Sequence, residues 1–241
     1  MWRRILAAAV FGTALLVPVQ HAAGAAAVDA NGDGSAIEVL GDLGTADRIA
    51  VIVPGVDTSP QDFGRLRAQA RALYAATARD VAVVAWLGYD PPKGLGLEAA
   101  RELRAKAGAP ALVSYLDGLA ARRPDARITL IGHSYGAIVV GLAAHALPAQ
   151  VHDLVTLGAP GMGADDVADL HTRAHVWSAL AADDWIRRVP QLRILGLGLG
   201  TRPSSASFGS TALPTGGVVG HDGYLAAGSA TLTAVAGLVT S

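Results

Sequence analysis

Short apolar runs that alternate with longer segments of helical periodicity constrain the fold of this chain more than any other sequence feature. Within each run nearly every position is apolar, a pattern typical of strands that are buried on both faces of a sheet. Because helical segments separate the runs, their order predicts a mostly parallel central sheet in a three-layer α/β/α sandwich. The predicted strands are 49–53, 81–86, 128–131, 154–157 and 176–180, with an additional edge strand over 37–40.

The segments between the strands carry helix signals. Ser59 is a suitable N-cap and Pro60 fits a first turn, so a helix is predicted to begin there. A second helical region over 97–119 contains Gly108-Ala109-Pro110, and we expect this tripeptide to interrupt it. The remaining predictions are a helix over 135–147, a long loop over 196–220 and a closing helix over 222–238.

Composition limits the classes of function to consider. The 19 basic and 20 acidic residues form no long single-sign runs, which gives no reason to expect nucleic acid or an anionic membrane as a partner. Cysteine is absent, so disulfides, thiol catalysis and cysteine-based metal sites are excluded. The 7 histidines are dispersed and form no HExxH motif, and we predict neither a metal nor a cofactor. The sequence leaves the oligomeric state open.

The first 27 residues have the features of an export signal. Arg3 and Arg4 precede an apolar run over 5–19, and small residues suited to signal-peptidase cleavage follow it. The run is shorter than the roughly 20 residues that span a bilayer, which favours cleavage over a retained membrane anchor. We therefore predict a secreted or cell-envelope protein. Its parts are a signal peptide over 1–27, a linker with the edge strand over 28–47 and one domain over 48–241.

The linker contains half of a calcium-binding pattern. Asp29, Asn31, Asp33 and Gly34 match the first half of a calcium loop. The last position of that pattern is Leu40, where a bidentate glutamate is required. The segment is therefore interpreted as a polar turn without a bound ion.

The sequence GHSYG at 132–136 joins a predicted strand to a predicted helix. A serine hydroxyl becomes a good nucleophile only when a base removes its proton, and a sharp strand-to-helix turn presents it at the carboxyl edge of a sheet. The flanking glycines permit a strained backbone, and the helix N-terminus favours negative charge nearby. Ser134 is therefore the candidate nucleophile, and the alternative is a serine in a tight turn of a binding fold.

Four segments of the chain resemble the α/β-hydrolase superfamily. They are VIVPG at 51–55, GHSYG at 132–136, AADDWI at 181–186 and VGHDGY at 219–224. Over about residues 48–238 the chain is most similar to an uncharacterised bacterial family of exported α/β-hydrolase-like domains. The resemblance implies an α/β-hydrolase fold and a catalytic triad in the chain order nucleophile, acid, base.

That order selects the base among the histidines. Only His221 lies beyond the Asp183-Asp184 pair, on a glycine-rich loop from which its ring can reach a serine at the sheet edge. The resemblance implies that His221 acts as general base toward Ser134 and then as general acid toward the leaving group. His133 precedes the serine, and we expect its side chain to point away from the serine as packing or pocket wall.

The triad also needs a carboxylate that orients the imidazole. Asp184 is followed by Trp185-Ile186, which resembles the acid turn of the superfamily, so Asp184 is favoured over its neighbour Asp183. Asp165 and Asp166 are further alternatives, because some superfamily members carry the acid one strand earlier.

Two main-chain N–H groups are implied as the oxyanion hole. One belongs to Tyr135, the residue after the nucleophile, and the other to Val56 in the turn after the 49–53 strand. Gly55 allows that turn to bend, and Asp57 or Thr58 is expected to brace it.

The pocket is expected to be open and partly apolar. The stretch between 158–161 and the strand at Val176 is too short for a large cap. Several apolar and aromatic residues are candidates for the pocket wall, and the alternative interpretation for each is packing in the core. The candidate acyl wall is Leu195, Leu197, Leu199 and Phe208, and the candidate mouth is Trp86, Tyr89 and Trp185.

Together these features predict a secreted serine hydrolase that cleaves small-molecule acyl esters, like an esterase or lipase, through an acyl-enzyme. A thioesterase or peptidase of the same fold is one alternative. A non-catalytic cell-envelope binding module is the other, since a fold does not determine its function.

Overall fold

The computed structural model describes residues 29–30, 35–77, 80–94, 96, 99–191 and 199–241. The predicted signal peptide, most of the calcium-like segment, Leu195 and Leu197 lie outside these residues. The described part of the chain forms one sheet of eight strands. The strands are β1 Asp29–Ala30, β2 Ala36–Leu40, β3 Arg48–Val53, β4 Val81–Leu87, β5 Arg127–His133, β6 Val151–Leu157, β7 His175–Ala179 and β8 Thr211–Ala212.

The sheet is mostly parallel, as the apolar runs predicted. Its strand order is β1-β2-β4-β3-β5-β6-β7-β8, and every pair from β4 to β8 along this order is parallel. The strand predicted over 37–40 is antiparallel to β4 and is followed at the edge by the short β1. Strand β4 is buried at every position, which explains why its sequence is continuously apolar rather than alternating.

Helices form the two outer layers of the sandwich. They are α1 Gly64–Ala76, α2 Leu103–Arg122, α3 Gly136–Ala143 and α4 Ala230–Thr240. Helix α1 packs on α4 and on β4, whereas α2 packs on α3, which in turn contacts β5. The apolar stripe of α1 buries Leu66, Ala70 and Leu73.

Three helices begin later than the sequence predicted, and α2 is one of them, since it starts at Leu103 rather than at 97. The hydroxyl of Ser59 accepts the N–H of Asp62 at 3.0 Å, so it closes a turn that precedes α1 rather than capping the helix. At the end of the chain Ser229 is the N-cap of α4, and its Oγ accepts the N–H of Leu232 at 3.0 Å. The preceding residues contain only a short 3₁₀ turn, Gly223–Leu225. A serine that can cap a helix can therefore also close a turn outside the helix, as Ser59 does.

Helix α2 is continuous, and the predicted interruption at 108–110 is wrong. Pro110 lies inside the helix on its exposed side, where the carbonyl that loses its N–H partner can reach water. Gly108 faces the interior, and a Cβ at this position would lie 2.7 Å from the Cβ of Tyr89. The glycine therefore permits close packing of α2 on the segment after β4.

The described segment between β6 and β7 contains no large cap. Between β6 and β7 the described chain contains a single 3₁₀ turn, Ala168–Leu170. Later, the segment predicted as a loop contributes the two-residue strand β8. Within the described residues, none of the helices combines the length and apolar character needed to cross a membrane.

Candidate active site

The turn between β5 and α3 holds Ser134 in a strained conformation. Its φ angle is +53°, in the left-handed region that non-glycine residues rarely adopt. A Cβ on Gly136 would lie 2.4 Å from the carbonyl oxygen of Val53, so only glycine fits where α3 begins beside β3. The turn thus presents the serine at the carboxyl edge of the sheet, as expected for a nucleophile elbow.

The structure brings Ser134, His221 and Asp184 together. The Oγ of Ser134 lies 2.8 Å from Nε2 of His221. On the other side of the ring, Nδ1 of His221 lies 3.0 Å from both carboxylate oxygens of Asp184. A carboxylate only accepts, so Nδ1 carries the proton and Nε2 is left to accept the serine hydroxyl. This arrangement can move a proton away from Ser134.

Asp184 is the carboxylate that faces the imidazole. It follows β7 and is 2% exposed. It accepts the N–H of Ile186 at 2.8 Å and the hydroxyl of Tyr224. Burial raises the pKa of Asp184, but the hydrogen bonds from His221, Tyr224 and Ile186 outweigh burial and leave that pKa below its ordinary value. The group is therefore an ionised carboxylate at neutral pH.

The other three aspartates considered from the sequence make different hydrogen bonds. Asp183 Oδ2 accepts the N–H of Gly220 at 2.8 Å and so braces the loop that carries His221. Asp166 accepts the N–H of Asp169, and the N–H of Asp165 donates to that same aspartate, in a local turn.

The two residues implied as the oxyanion hole lie at the same cavity as Ser134. Val56 and Tyr135 line one cavity together with the serine. Among the described residues, neither N–H donates to a backbone carbonyl. The turn that carries Val56 is held by Asp57, whose N–H donates to Pro92 O at 3.0 Å and whose carboxylate accepts the N–H of Gly94 at 2.7 Å.

His133 contacts the base, a role that the sequence did not indicate. Its Nε2–H donates to the backbone carbonyl of His221 at 2.9 Å, and the two ring centroids are 4.8 Å apart. Burial first, and then the neighbouring His221, lower the pKa of His133 to about 4. It is therefore an uncharged wall of the site, consistent with the expected packing role.

Tyr224 is a second residue that sequence reasoning missed. Its hydroxyl donates to Asp184 and accepts the N–H of Ala181 at 3.1 Å. Burial and the hydrogen bond to Asp184 raise the pKa of Tyr224 far above its ordinary value. It lies three positions after His221, but no spacing rule assigns a tyrosine there to the acid.

Two cavities meet at Ser134. The apolar cavity has a volume of about 110 Å³. It is lined by Val56, Ala99, Ala100, Ser134, Tyr135, Pro160, Trp185, Ile186, Val189 and Leu199. The polar cavity has a volume of about 20 Å³. It is lined by Pro54, Gly55, Val56, Thr58, Arg65, Leu66, Gln69, His133, Ser134, His221 and Asp222.

The candidate lining residues divide between cavity and core. Leu199 and Trp185 line the apolar cavity, as predicted. Phe208 does not, because it is fully buried in the core. Trp86 and Tyr89 are also core residues, stacked on each other with ring centroids 6.3 Å apart.

Sequence comparisons give relatives of unestablished function. A family model described as an alpha/beta hydrolase matches residues 29–194. An uncharacterised protein of Mycobacterium tuberculosis strain H37Rv is 32% identical over 209 residues, which cover 74% of this chain and 32% of that protein. An uncharacterised protein of Mycobacterium bovis is 31% identical over 173 residues, covering 65% of this chain and 64% of the relative. The matched part is thus about a third of the first relative's length.

Solved structures with similar folds include two named hydrolases. An esterase called PE8 superposes with a TM-score of 0.56 at 19% identity, covering 83% of this chain and 95% of that one. A dienelactone hydrolase from Anabaena variabilis ATCC 29413 has a TM-score of 0.51 at 21% identity and covers 90% of this chain and 93% of its own. At such identities the likeness establishes the fold.

Proposed function

The chain belongs to the alpha/beta hydrolase family, and from this premise we propose that it is a serine hydrolase that cleaves acyl esters. The observation that carries the proposal is the continuous hydrogen-bonded chain from Ser134 Oγ through His221 to Asp184. Such a chain activates a hydroxyl for attack on a carbonyl carbon. Esterases among the structures of similar fold agree with this reaction class.

In the first half of the reaction Ser134 becomes acylated. Its Oγ bonds to the ester carbonyl carbon while the hydroxyl proton passes to Nε2 of His221. Asp184 stabilises the imidazolium that forms, because its ionised carboxylate accepts Nδ1–H. The tetrahedral intermediate then loses the alcohol: the bond between carbonyl carbon and alcohol oxygen breaks, and Nε2 gives its proton to that oxygen.

In the second half water regenerates the enzyme. A water oxygen bonds to the acyl carbon while His221 takes a proton, and the carbon–Oγ bond then breaks as that proton returns to Ser134. In both halves negative charge develops on the carbonyl oxygen. We assign its stabilisation to the N–H groups of Val56 and Tyr135, since preorganised donors are effective for developing charge.

The apolar cavity supports an acyl substrate. Trp185, Ile186 and Leu199 give it a hydrophobic wall beside the serine. This is where the acyl chain of an ester would be removed from water.

We also propose that the protein is exported, on the pattern of basic, apolar and small residues over 1–27. Intact-mass measurement of the protein recovered outside the cytoplasm tests this. Loss of the first 27 or so residues is expected, and a full-length mass would indicate a retained anchor.

Activity-based labelling tests the proposed reaction. Wild type is expected to react with a fluorophosphonate probe and to hydrolyse p-nitrophenyl butyrate, and Ser134→Ala to do neither. Ser114→Ala removes an exposed serine on α2 and serves as the matched control. A wild type without labelling or hydrolysis, indistinguishable from Ser134→Ala, would favour a binding module instead.

A further inference from the structure

The position of the base distinguishes the two cavities at Ser134. A general acid must lie within hydrogen-bond reach of the leaving oxygen. His221 lines the polar cavity, whereas the described lining of the apolar cavity does not include it. If the chain cleaves esters as proposed above, the alcohol therefore leaves through the polar cavity and the acyl group occupies the apolar one.

A side-chain amide of α1 faces the polar cavity, and its polar atoms remain accessible to solvent. Gln69 is 7% exposed and lines the cavity from α1. No hydrogen bond joins its side chain to any residue that the structure describes. Because its amide atoms are not sealed from solvent, a ligand hydroxyl in the cavity can reach them and either donate to the amide oxygen or accept from the amide nitrogen. Gln69 can therefore form a hydrogen bond with a hydroxyl group in this cavity.

The charges around this cavity balance. The guanidinium of Arg65 pairs with the carboxylate of Asp222 at 3.2 Å, and both side chains are about half exposed. Asp222 also lies 3.9 Å from Nε2 of His133, which is uncharged near neutral pH because burial lowers its pKa. Since no net charge remains on these groups, the cavity favours a neutral hydrogen-bonding ligand over an ion.

The volume of the polar cavity limits how much of a ligand it can hold. A site of 10 to 15 Å³ or more, measured in the same way, accommodates about one water molecule. The polar cavity, at about 20 Å³, therefore has room for about one hydroxyl group. The rest of a leaving group would extend toward Arg65 and Asp222, the half-exposed side chains of the lining.

We propose that the polar cavity binds a free hydroxyl group of a neutral polyol leaving group, with Gln69 as the residue that recognises it. The substrates would then be esters of small polyols such as glycerol rather than esters of simple alkyl alcohols. This inference rests on the ester hydrolysis proposed above.

Two esters with the same acyl group test the proposal. Glyceryl monobutyrate and propyl butyrate differ by two hydroxyl groups in the leaving alcohol. For wild type we expect kcat/KM for the glyceryl ester to be up to about tenfold higher, the effect of one well-formed hydrogen bond. Gln69→Leu should reduce this ratio to about one. Gln150→Leu, just before β6 at the opposite edge of the sheet, should retain it.

A second measurement uses wild type alone and does not depend on the folding of the variant. The acyl-enzyme formed from p-nitrophenyl butyrate is offered glycerol or propan-1-ol. A hydroxyl oxygen bonds to the acyl carbon, the carbon–Oγ bond of Ser134 breaks, and the proton passes through His221. We expect glycerol to yield at least about fivefold more ester than propan-1-ol at equal concentration, because the site that binds the leaving polyol would also bind it as the incoming alcohol.

The outcomes separate the two proposals. Equal use of the two esters and of the two alcohols by an enzyme that depends on Ser134 overturns the polyol site and leaves the serine hydrolase intact. Preference for the butyrate ester of 3-hydroxypropanoate, lost in Arg65→Gln, would also overturn it by showing a carboxylate site. Absence of all ester hydrolysis and probe labelling contradicts the proposed function itself.

Discussion

At the scale of single residues, hydrogen-bond partners and burial together determine the charge of the groups around His221. Asp184 and His133 are almost equally buried, yet one is held ionised and the other neutral. The difference lies in their partners. Asp184 accepts hydrogen bonds that outweigh the effect of burial on its pKa, whereas for His133 burial outweighs the contacts that favour its charge, and the neighbouring His221 lowers its pKa further.

The lowered pKa of His133 makes folding stability depend on pH. In the folded state His133 stays neutral down to about pH 4, while the unfolded chain takes up the proton at its ordinary pKa near 6.5. The unfolded state thus binds more protons between these values, so stability falls as the pH is lowered through this window. We expect wild type to lose about 2 kcal/mol more than His133→Gln between about pH 7 and pH 4.5, measured by urea unfolding.

A matched control separates titration from the loss of a ring. His152→Gln replaces an exposed histidine on β6 and should keep the wild-type dependence on pH. In His133→Gln the amide can still donate to the carbonyl of His221, so the variant differs from wild type mainly in lacking a side chain that can become charged. Parallel curves for wild type and His133→Gln would contradict the neutral state of this residue.

The choice between the adjacent carboxylates gives a prediction about activity. In Asp184→Asn the amide cannot stabilise the imidazolium and favours the wrong tautomer, so kcat is expected to fall by about 10⁴-fold. In Asp183→Asn the side-chain oxygen can still accept the N–H of Gly220, and kcat should stay within about threefold of wild type. Hydrolysis of p-nitrophenyl butyrate measures both variants. The opposite ranking would assign the acid to Asp183.

Sequence order identified the three side chains that meet, but not those that hold them. Ser134, Asp184 and His221 stand in motifs whose residue types and order carry information. The contact of His133 arises only when β5 meets the loop before α4, 88 positions along the chain, and that of Tyr224 only when this loop meets the segment after β7, 40 positions away. No local pattern encodes such a pairing.

At the scale of elements, the two interior glycines of α2 have opposite roles. A Cβ on Gly108 would lie 2.7 Å from Tyr89, whereas the nearest atom to a Cβ on Gly118 is the end of the Arg122 side chain at 3.7 Å. We expect Gly108→Ala to lower the free energy of unfolding by about 1 to 3 kcal/mol because it overpacks the interface. Gly118→Ala should raise it by about 0.5 to 1 kcal/mol through higher helix propensity.

Thermal unfolding of the two variants checks this pair. Because both changes are Gly→Ala in one helix, their intrinsic propensity gain is the same, and the difference reports the contact with Tyr89. If both variants were stabilised to the same extent, the close packing of α2 on Tyr89 would be refuted.

The elements that the sequence predicted best are those determined by local burial. All five apolar runs became strands of the parallel sheet, because a strand buried on both faces needs nothing but apolar residues. The start of α1, the continuity of α2 and the strand β8 were not predicted. The continuity of α2 depends on which side of Pro110 faces water. Strand β8 depends on the pairing of Thr211–Ala212 with β7, so both features follow from tertiary contacts.

At the scale of the whole molecule, the apolar cavity is assembled from segments far apart in the chain. Val56 follows β3, Ala100 precedes α2, Pro160 follows β6, and Val189 and Leu199 come after β7. Sequence reasoning found Leu199 and Trp185 because a hydrophobic residue near the triad is a natural candidate. The small lining residues could not be predicted, because they form the cavity only by leaving space that larger side chains would fill.

That space limits the acyl chain. A cavity of about 150 Å³ lined by apolar side chains holds the six carbons of benzene. The apolar cavity, at about 110 Å³, should by the same proportion hold four or five carbons. In a series of p-nitrophenyl esters kcat/KM is therefore expected to peak at butyrate or pentanoate. Ala100→Leu should move the peak to acetate or propionate, while Ala111→Leu, on the exposed face of α2, should leave it unchanged. A rate that keeps rising to dodecanoate would show that the cavity does not hold the acyl chain, because each added methylene would then lie outside it.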